Sequence, residues 1–191
     1  MRIIGGTAAG QILKVPQGYD VRPTPDLVRQ AIFNSLGERV GGARVLELFG
    51  GSGALSLECL SRGAQSAVCV ELSRKHARFI EDNLESVGLP KTAFRLRQQD
   101  VFTALPQLVT EQAQFDLILA DPPFGEKNVG RRSTSLSQRL LDDAQLPGLL
   151  AEGGRFLLGH TRRDQLTFPD RWEQVKEMKH GDSVMEFLRR R

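Results

Sequence analysis

Few residues in this chain could build a metal centre, a disulfide framework or a membrane anchor. Its 191 residues include two cysteines, Cys59 and Cys69, in apolar surroundings and at no metal-ligand or redox spacing. This argues against a zinc site or a disulfide scaffold and for a reducing compartment. His76, His160 and His180 show no catalytic or metal spacing either. No apolar run reaches membrane-spanning length, and the opening MRIIGGTAAG lacks the apolar core of a signal peptide. The expectation is a soluble, cytoplasmic protein with no membrane partner. Repeats, low-complexity tracts and interdomain linkers are missing too, and the net charge of +3 permits a nucleic-acid partner without demanding one.

What is present is alternation. A chain of this length with 40% hydrophobic residues can bury one substantial core, and strand-like runs alternate with helix-like ones, which favours an α/β fold. The first stretch, to about Val21, reads as a basic hairpin or extended arm. In RPTPDLVRQAIFNSLG, Thr24 is placed to cap a helix with Pro25 in its first turn, and Leu27, Ala31, Ile32 and Leu36 form its apolar stripe. Strands are expected at 44–48, 67–70, 94–97, 115–120 and 155–158, and helices from about 54, over 73–87, after 100 and around 137–146. Two last strands near 172–178 and 184–188 are joined by KHGDS as a hairpin. The architecture expected is a parallel sheet with an antiparallel pair at its end.

Chemistry gathers where the strands stop. VLELFGGSGALSLE sets three glycines between an apolar strand and a helix, a loop that lets backbone approach a ligand and aims helix N–H groups at it. A dinucleotide fingerprint would need a further glycine where Ser56 stands. Glu47, Phe49, Gly51, Ser52 and Gly53 instead follow an acid-x-aromatic-Gly-x-x-Gly pattern of the kind that holds the charged methionine part of S-adenosylmethionine. About 20 residues beyond the loop, AVCVELS ends in Glu71, placed to accept both ribose hydroxyls of a nucleoside, with Leu72 beside it. FRLRQQDVF ends in Asp100, which could accept an adenine amino group while Val101 packs on the ring, or simply cap a helix. In LILADPPFGE, two prolines stop the strand and present a carboxylate, a stiff turn and an aromatic face within four residues.

The order ELFGGSGA, VELS, QQDVF, DPPF resembles the class I S-adenosylmethionine-dependent methyltransferases. MRIIGG and RPTPDLVRQAIFNSL further resemble the bacterial RsmD-type enzymes, which methylate the exocyclic N2 of a guanine in small-subunit (16S) ribosomal RNA. The resemblance implies a Rossmann-like, seven-stranded, mostly parallel sheet with an antiparallel last strand, divided into an RNA-contacting arm, 1–22, and a methyltransferase domain, 23–191. It implies S-adenosylmethionine as cofactor without a metal, and a monomer acting on ribosomal RNA within an assembling or assembled small subunit. A guanine amino nitrogen is a poor nucleophile, so catalysis is positioning: Asp121 accepts one amino hydrogen, the Pro122 carbonyl accepts another, Pro123 stiffens the turn and Phe124 stacks on the flipped base. Substrate RNA would meet Arg2, Lys14, Arg22, Thr24 and Arg29 from the arm and first helix, and Lys127, Arg131 and Arg132 after the catalytic turn. The chain departs from the family's usual pattern at Gln11, Gly159 and His180. An amino-group methyltransferase acting on another RNA or on DNA adenine is the alternative.

Overall fold

The computed structural model describes residues 1–16, 25–123, 128 and 131–191. Its strands form a seven-stranded sheet in the order Phe94–Gln98, Ser66–Glu71, Arg44–Leu48, Phe115–Ala120, Leu150–Thr161, Ser183–Arg190, Trp172–His180, and the chain divides into two compact units, Met1–Ala104 and Leu105–Arg191. Among the described residues, no helix is long and apolar enough to cross a membrane.

The first unit contains α1 (Asp26–Leu36), β1 (Arg44–Leu48), α2 (Ala54–Ser61), β2 (Ser66–Glu71), α3 (Arg74–Ser86) and β3 (Phe94–Gln98), with α4 (Val101–Thr110) beginning at its end. β1 and β2 pair in parallel from Arg44↔Ser66 to Leu48↔Val70, and β2 pairs in parallel with β3. The apolar runs of β1 and β2 are those of strands covered on both faces. All eight residues of α2 are buried, whereas α3 buries only the stripe Ala77, Ile80, Asn83 and Leu84. Ser73 caps α3 by accepting the His76 amide at 3.3 Å.

The apolar stripe expected on α1 is rotated in the structure. Leu27 is 62% exposed, and the buried face is Val28, Arg29, Ile32, Phe33 and Leu36. A charged residue occupies that face because its guanidinium finds oxygen partners there. Pro25 stands just before the helix with an extended ψ of 149° rather than inside the first turn. Thr24, the expected cap, lies outside the described residues.

The second unit contains β4 (Phe115–Ala120), α5 (Leu136–Asp142), α6 (Leu146–Leu149), β5 (Leu150–Thr161), β6 (Trp172–His180) and β7 (Ser183–Arg190). β4 and β5 are parallel, and β7 is antiparallel to both β5 and β6. Where one helix is expected over 137–146, two short ones form. Asp143 takes an extended conformation and its carboxylate accepts the Gln145 and Leu146 amides, both at 2.9 Å, so the first helix stops and the second begins. Trp172 packs on Phe156 with ring centroids 5.1 Å apart and donates to the Leu141 carbonyl at 3.1 Å.

Candidate cofactor and substrate site

The loop between β1 and α2 stores backbone strain. Phe49, an aromatic residue, has φ of 62°, a conformation that costs on the order of 1 to 3 kcal/mol and gathers at functional sites. Gly50 follows because a Cβ there would strike Cys69 Sγ. Gly53 combines φ of 73° with Ile80 Cγ2 3.1 Å from where its Cβ would stand. The loop is therefore drawn tightly onto β2 and α3, and α2 starts from a left-handed residue with no side-chain cap of its own.

Glu47 takes over that capping. Its carboxylate accepts the Ser56 amide at 3.0 Å and the Leu55 amide at 3.3 Å. Both oxygens are turned to the helix in a buried position, so Glu47 shapes the loop from beneath. Burial pushes its pKa up from 4.5 to about 7, against the pull of the hydrogen bonds from Ser56, Cys69 and Leu55. The same burial, with Glu47 beside it, raises the Cys69 thiol well above its ordinary value.

Glu71, at the end of β2, reaches across to the loop. One oxygen accepts the Gly51 amide at 2.8 Å and the other the Ser73 amide at 2.7 Å. This places a carboxylate against the glycine loop at the C-terminal end of a parallel strand, the edge at which such sheets bind ligands. Leu72, next in the chain, is 65% exposed. At the end of β3, Asp100 accepts the Thr103 amide at 3.1 Å and caps α4, while Val101 is buried. The capping role left open for Asp100 is thus present.

In the second unit, Asp121 and Pro122 follow β4 directly. A Cβ added to Gly159 of β5 would collide with Asp121 Oδ1, and would lie 3.0 Å from its Cγ and 3.3 Å from its Cα. The Asp121 carboxylate therefore rests on a stretch of β5 that has no side chain. The Gly159 carbonyl accepts the Ser137 hydroxyl at 2.9 Å, which ties this stretch to α5. Pro122 is buried and Pro123 exposed. Phe124 and Lys127 lie outside the described residues.

The basic residues expected to meet RNA fare differently. Arg29 is fully buried, with Nη2 2.6 Å from the Arg2 carbonyl and 2.7 Å from Asp26 and Nη1 3.7 Å from Glu58. It has no surface to offer a phosphate, and its assignment to RNA is corrected to a structural one. Arg2 is exposed and 3.6 Å from Asp26, and Lys14 pairs with Asp82 at 3.4 Å. Arg132 is exposed and holds Asp142 at 2.7 Å, and Arg131 is exposed. Arg22, like Thr24, lies outside the described residues.

Sequence reasoning passed over the residues that hold the N-terminal segment. Glu58, fully buried on α2, accepts the Ile4 amide at 2.7 Å, the Gly5 amide at 2.8 Å and Arg62 Nε at 2.7 Å. Ser61 donates to the Gly5 carbonyl at 2.6 Å and accepts the Ala8 amide at 2.9 Å. Ile3 and Leu13 are buried, and the segment closes on itself through the Arg2↔Ile12 bridge. A glutamate inside a helix that is otherwise apolar or small was the available signal, because such a charge is buried only when partners await it. His160, in the second unit, has a structural role as well. Its Nδ1 faces the carbonyls of Thr161 and Asp164 at 2.9 and 3.2 Å, while Nε2 meets Glu186 at 3.2 Å.

YlbH of Bacillus subtilis is 34% identical over 166 residues, which cover 87% of this chain and 85% of that protein. Ribosomal RNA small subunit methyltransferase D of Haemophilus influenzae is 30% identical over 182 residues, covering 95% and 89%. The solved structure of a hypothetical protein from Thermus thermophilus superposes with a TM-score of 0.79 at 29% identity, covering 99% of both chains. A family model described as Conserved hypothetical protein 95 matches residues 1–189, and the chain belongs to that family.

Proposed function

We propose that the protein transfers a methyl group from S-adenosylmethionine to the exocyclic N2 of a guanine in small-subunit ribosomal RNA. The observation that carries this reading is Glu71, whose carboxylate joins the Gly51 and Ser73 amides beside the exposed Leu72. A carboxylate suited to two ribose hydroxyls, an apolar side chain suited to an adenine face and a strained glycine loop suited to the methionine part fit one ligand. Ribosomal RNA as the acceptor comes from the name of the Haemophilus influenzae relative.

Bound S-adenosylmethionine supplies an electrophilic methyl carbon attached to a positive sulfur. The chain supplies position. Glu71 takes the ribose hydroxyls in charge-assisted hydrogen bonds, Asp100 and Val101 bound the adenine, and Glu47 holds the α2 amides that shape the loop. Asp121 accepts one hydrogen of the guanine amino group and the Pro122 carbonyl the other, so that the nitrogen lone pair faces the methyl carbon. Held by Glu71 and the glycine loop, S-adenosylmethionine would supply the methyl group and leave as S-adenosylhomocysteine, and Asp121 would receive the proton that the amino nitrogen sheds. Fixing two reactants in this way lowers a barrier by about 7 kcal/mol or more. A base in a duplex must first be extruded, and RNA shape selects which one; the family resemblance further implies that assembled or partly assembled small subunits are better substrates than protein-free RNA.

The test is incubation of the purified protein with methyl-labelled S-adenosylmethionine and, separately, small subunits, protein-free ribosomal RNA and duplex DNA. Label in N2-methylguanosine from the subunits supports the reading. Label in another nucleoside, or in DNA adenine, replaces it.

A further inference from the structure

Asn83 lies on the buried stripe of α3 and is fully buried. Its side-chain oxygen accepts the Lys14 amide at 2.7 Å, and its side-chain nitrogen donates to the Lys14 carbonyl and to the Ser52 carbonyl, both at 2.9 Å. Both N–H bonds of the amide are thus used, one on the N-terminal segment and one on the glycine loop. A second contact links the same two segments, since the Ser52 hydroxyl lies 3.9 Å from Met1 Sδ. A buried amide with every hydrogen committed has one favourable orientation, and a change at any of its partners leaves a buried polar group unmatched. Neither Asn83 nor Lys14 belongs to the set of residues assigned above to the cofactor.

We propose that Asn83 is a positioning residue that couples the N-terminal segment to the cofactor loop, so that the order of residues 1–14 sets the affinity for S-adenosylmethionine. This rests on the cofactor reading above. Coupling of this kind is reciprocal: if the segment supports the loop, a ligand that orders the loop also orders the segment. A basic segment that meets RNA would then report RNA contact to the cofactor site through Asn83.

The test uses the full chain and S-adenosylhomocysteine as the probe. Lys14→Pro removes the amide that Asn83 accepts, whereas Lys14→Ala removes only the side chain and keeps that amide. Calorimetry should show affinity reduced roughly fivefold or more in Lys14→Pro and in Asn83→Ala, and unchanged in Lys14→Ala. Hydrogen exchange on the unaltered protein should show slower exchange at Ile4, Gly5 and Lys14 when the probe binds, which keeps the proposal testable if Asn83→Ala does not fold. Equal affinity in Lys14→Pro and Lys14→Ala, or probe binding that leaves exchange of the N-terminal amides unchanged, overturns the coupling. Failure of the unaltered protein to bind the probe overturns the cofactor reading instead.

Discussion

Gly159 lies directly against the carboxylate of Asp121: a methyl group at position 159 would come within 3.0 Å of Asp121 Cγ and nearer still to Oδ1. The residue that the proposed function asks to hold an amino group is therefore seated on bare backbone. Gly159→Ala should displace that carboxylate. The expected result is a loss in kcat of about 100-fold per ångström of misplacement, with S-adenosylmethionine affinity preserved. Unchanged single-turnover rates would remove Asp121 placement from the mechanism.

The Glu58 carboxylate is shared by Arg62, two N-terminal amides and, at 3.7 Å, Arg29. Glu58→Ala leaves Arg29 buried beside an empty place, and breaking a buried pair from one side costs about 3 to 5 kcal/mol. Urea denaturation should show that loss, and removal of residues 1–14 should also destabilise the chain, because it takes two amide donors from the buried Glu58 carboxylate. The segment is a component of the first unit as well as a candidate RNA contact.

The pH dependence of stability should carry a mark of Glu47. Its pKa is raised from 4.5 to about 7 in the folded protein, so between those values the folded state holds a proton that the unfolded state has released. Stability from this group is fully present below pH 4.5 and falls as pH rises towards 7, on the order of 3 kcal/mol in all. Glu47→Gln lacks this loss. The gap between the two proteins in denaturant midpoint should therefore move in favour of the variant as pH rises from 5 to 7, and a constant gap would show that the carboxyl titrates normally.

Arg131 and Arg132 are exposed, with Arg132 turned to Asp142. If both meet phosphates, replacing them with alanine should lower the slope of log affinity for RNA against log salt by roughly 1.4 to 1.8. Cofactor affinity should not change. Filter binding at a series of salt concentrations measures this, and an unchanged slope would place RNA elsewhere.

Much of this was legible in the chain because its signals are local. The strands at 44–48 and 115–120 are short apolar runs ended by a glycine or by consecutive prolines, and the structure reproduces both ranges. The glycine loop and the acids that end β1 and β2 could be read in the same way, because each is defined by a strand and the residues that stop it. The burial of Arg29 and the anchoring of the N-terminal segment were not legible. Their partners, Glu58, Ser61 and Asn83, lie about 30 to 70 positions away along the chain, and sequence periodicity does not report which buried oxygen waits for which amide. Gly159 appeared as a departure from a family pattern, and only its packing against Asp121 gives it a physical reason.

The most direct measurement is nucleoside mass spectrometry of small-subunit ribosomal RNA from cells lacking this protein, and from the same cells supplied with the unaltered chain or with Asp121→Ala. N2-methylguanosine should fall in the deleted strain, return with the unaltered chain and stay low with Asp121→Ala, although that variant still binds S-adenosylmethionine. An unchanged N2-methylguanosine content in the deleted strain, or full restoration by Asp121→Ala, would contradict the account.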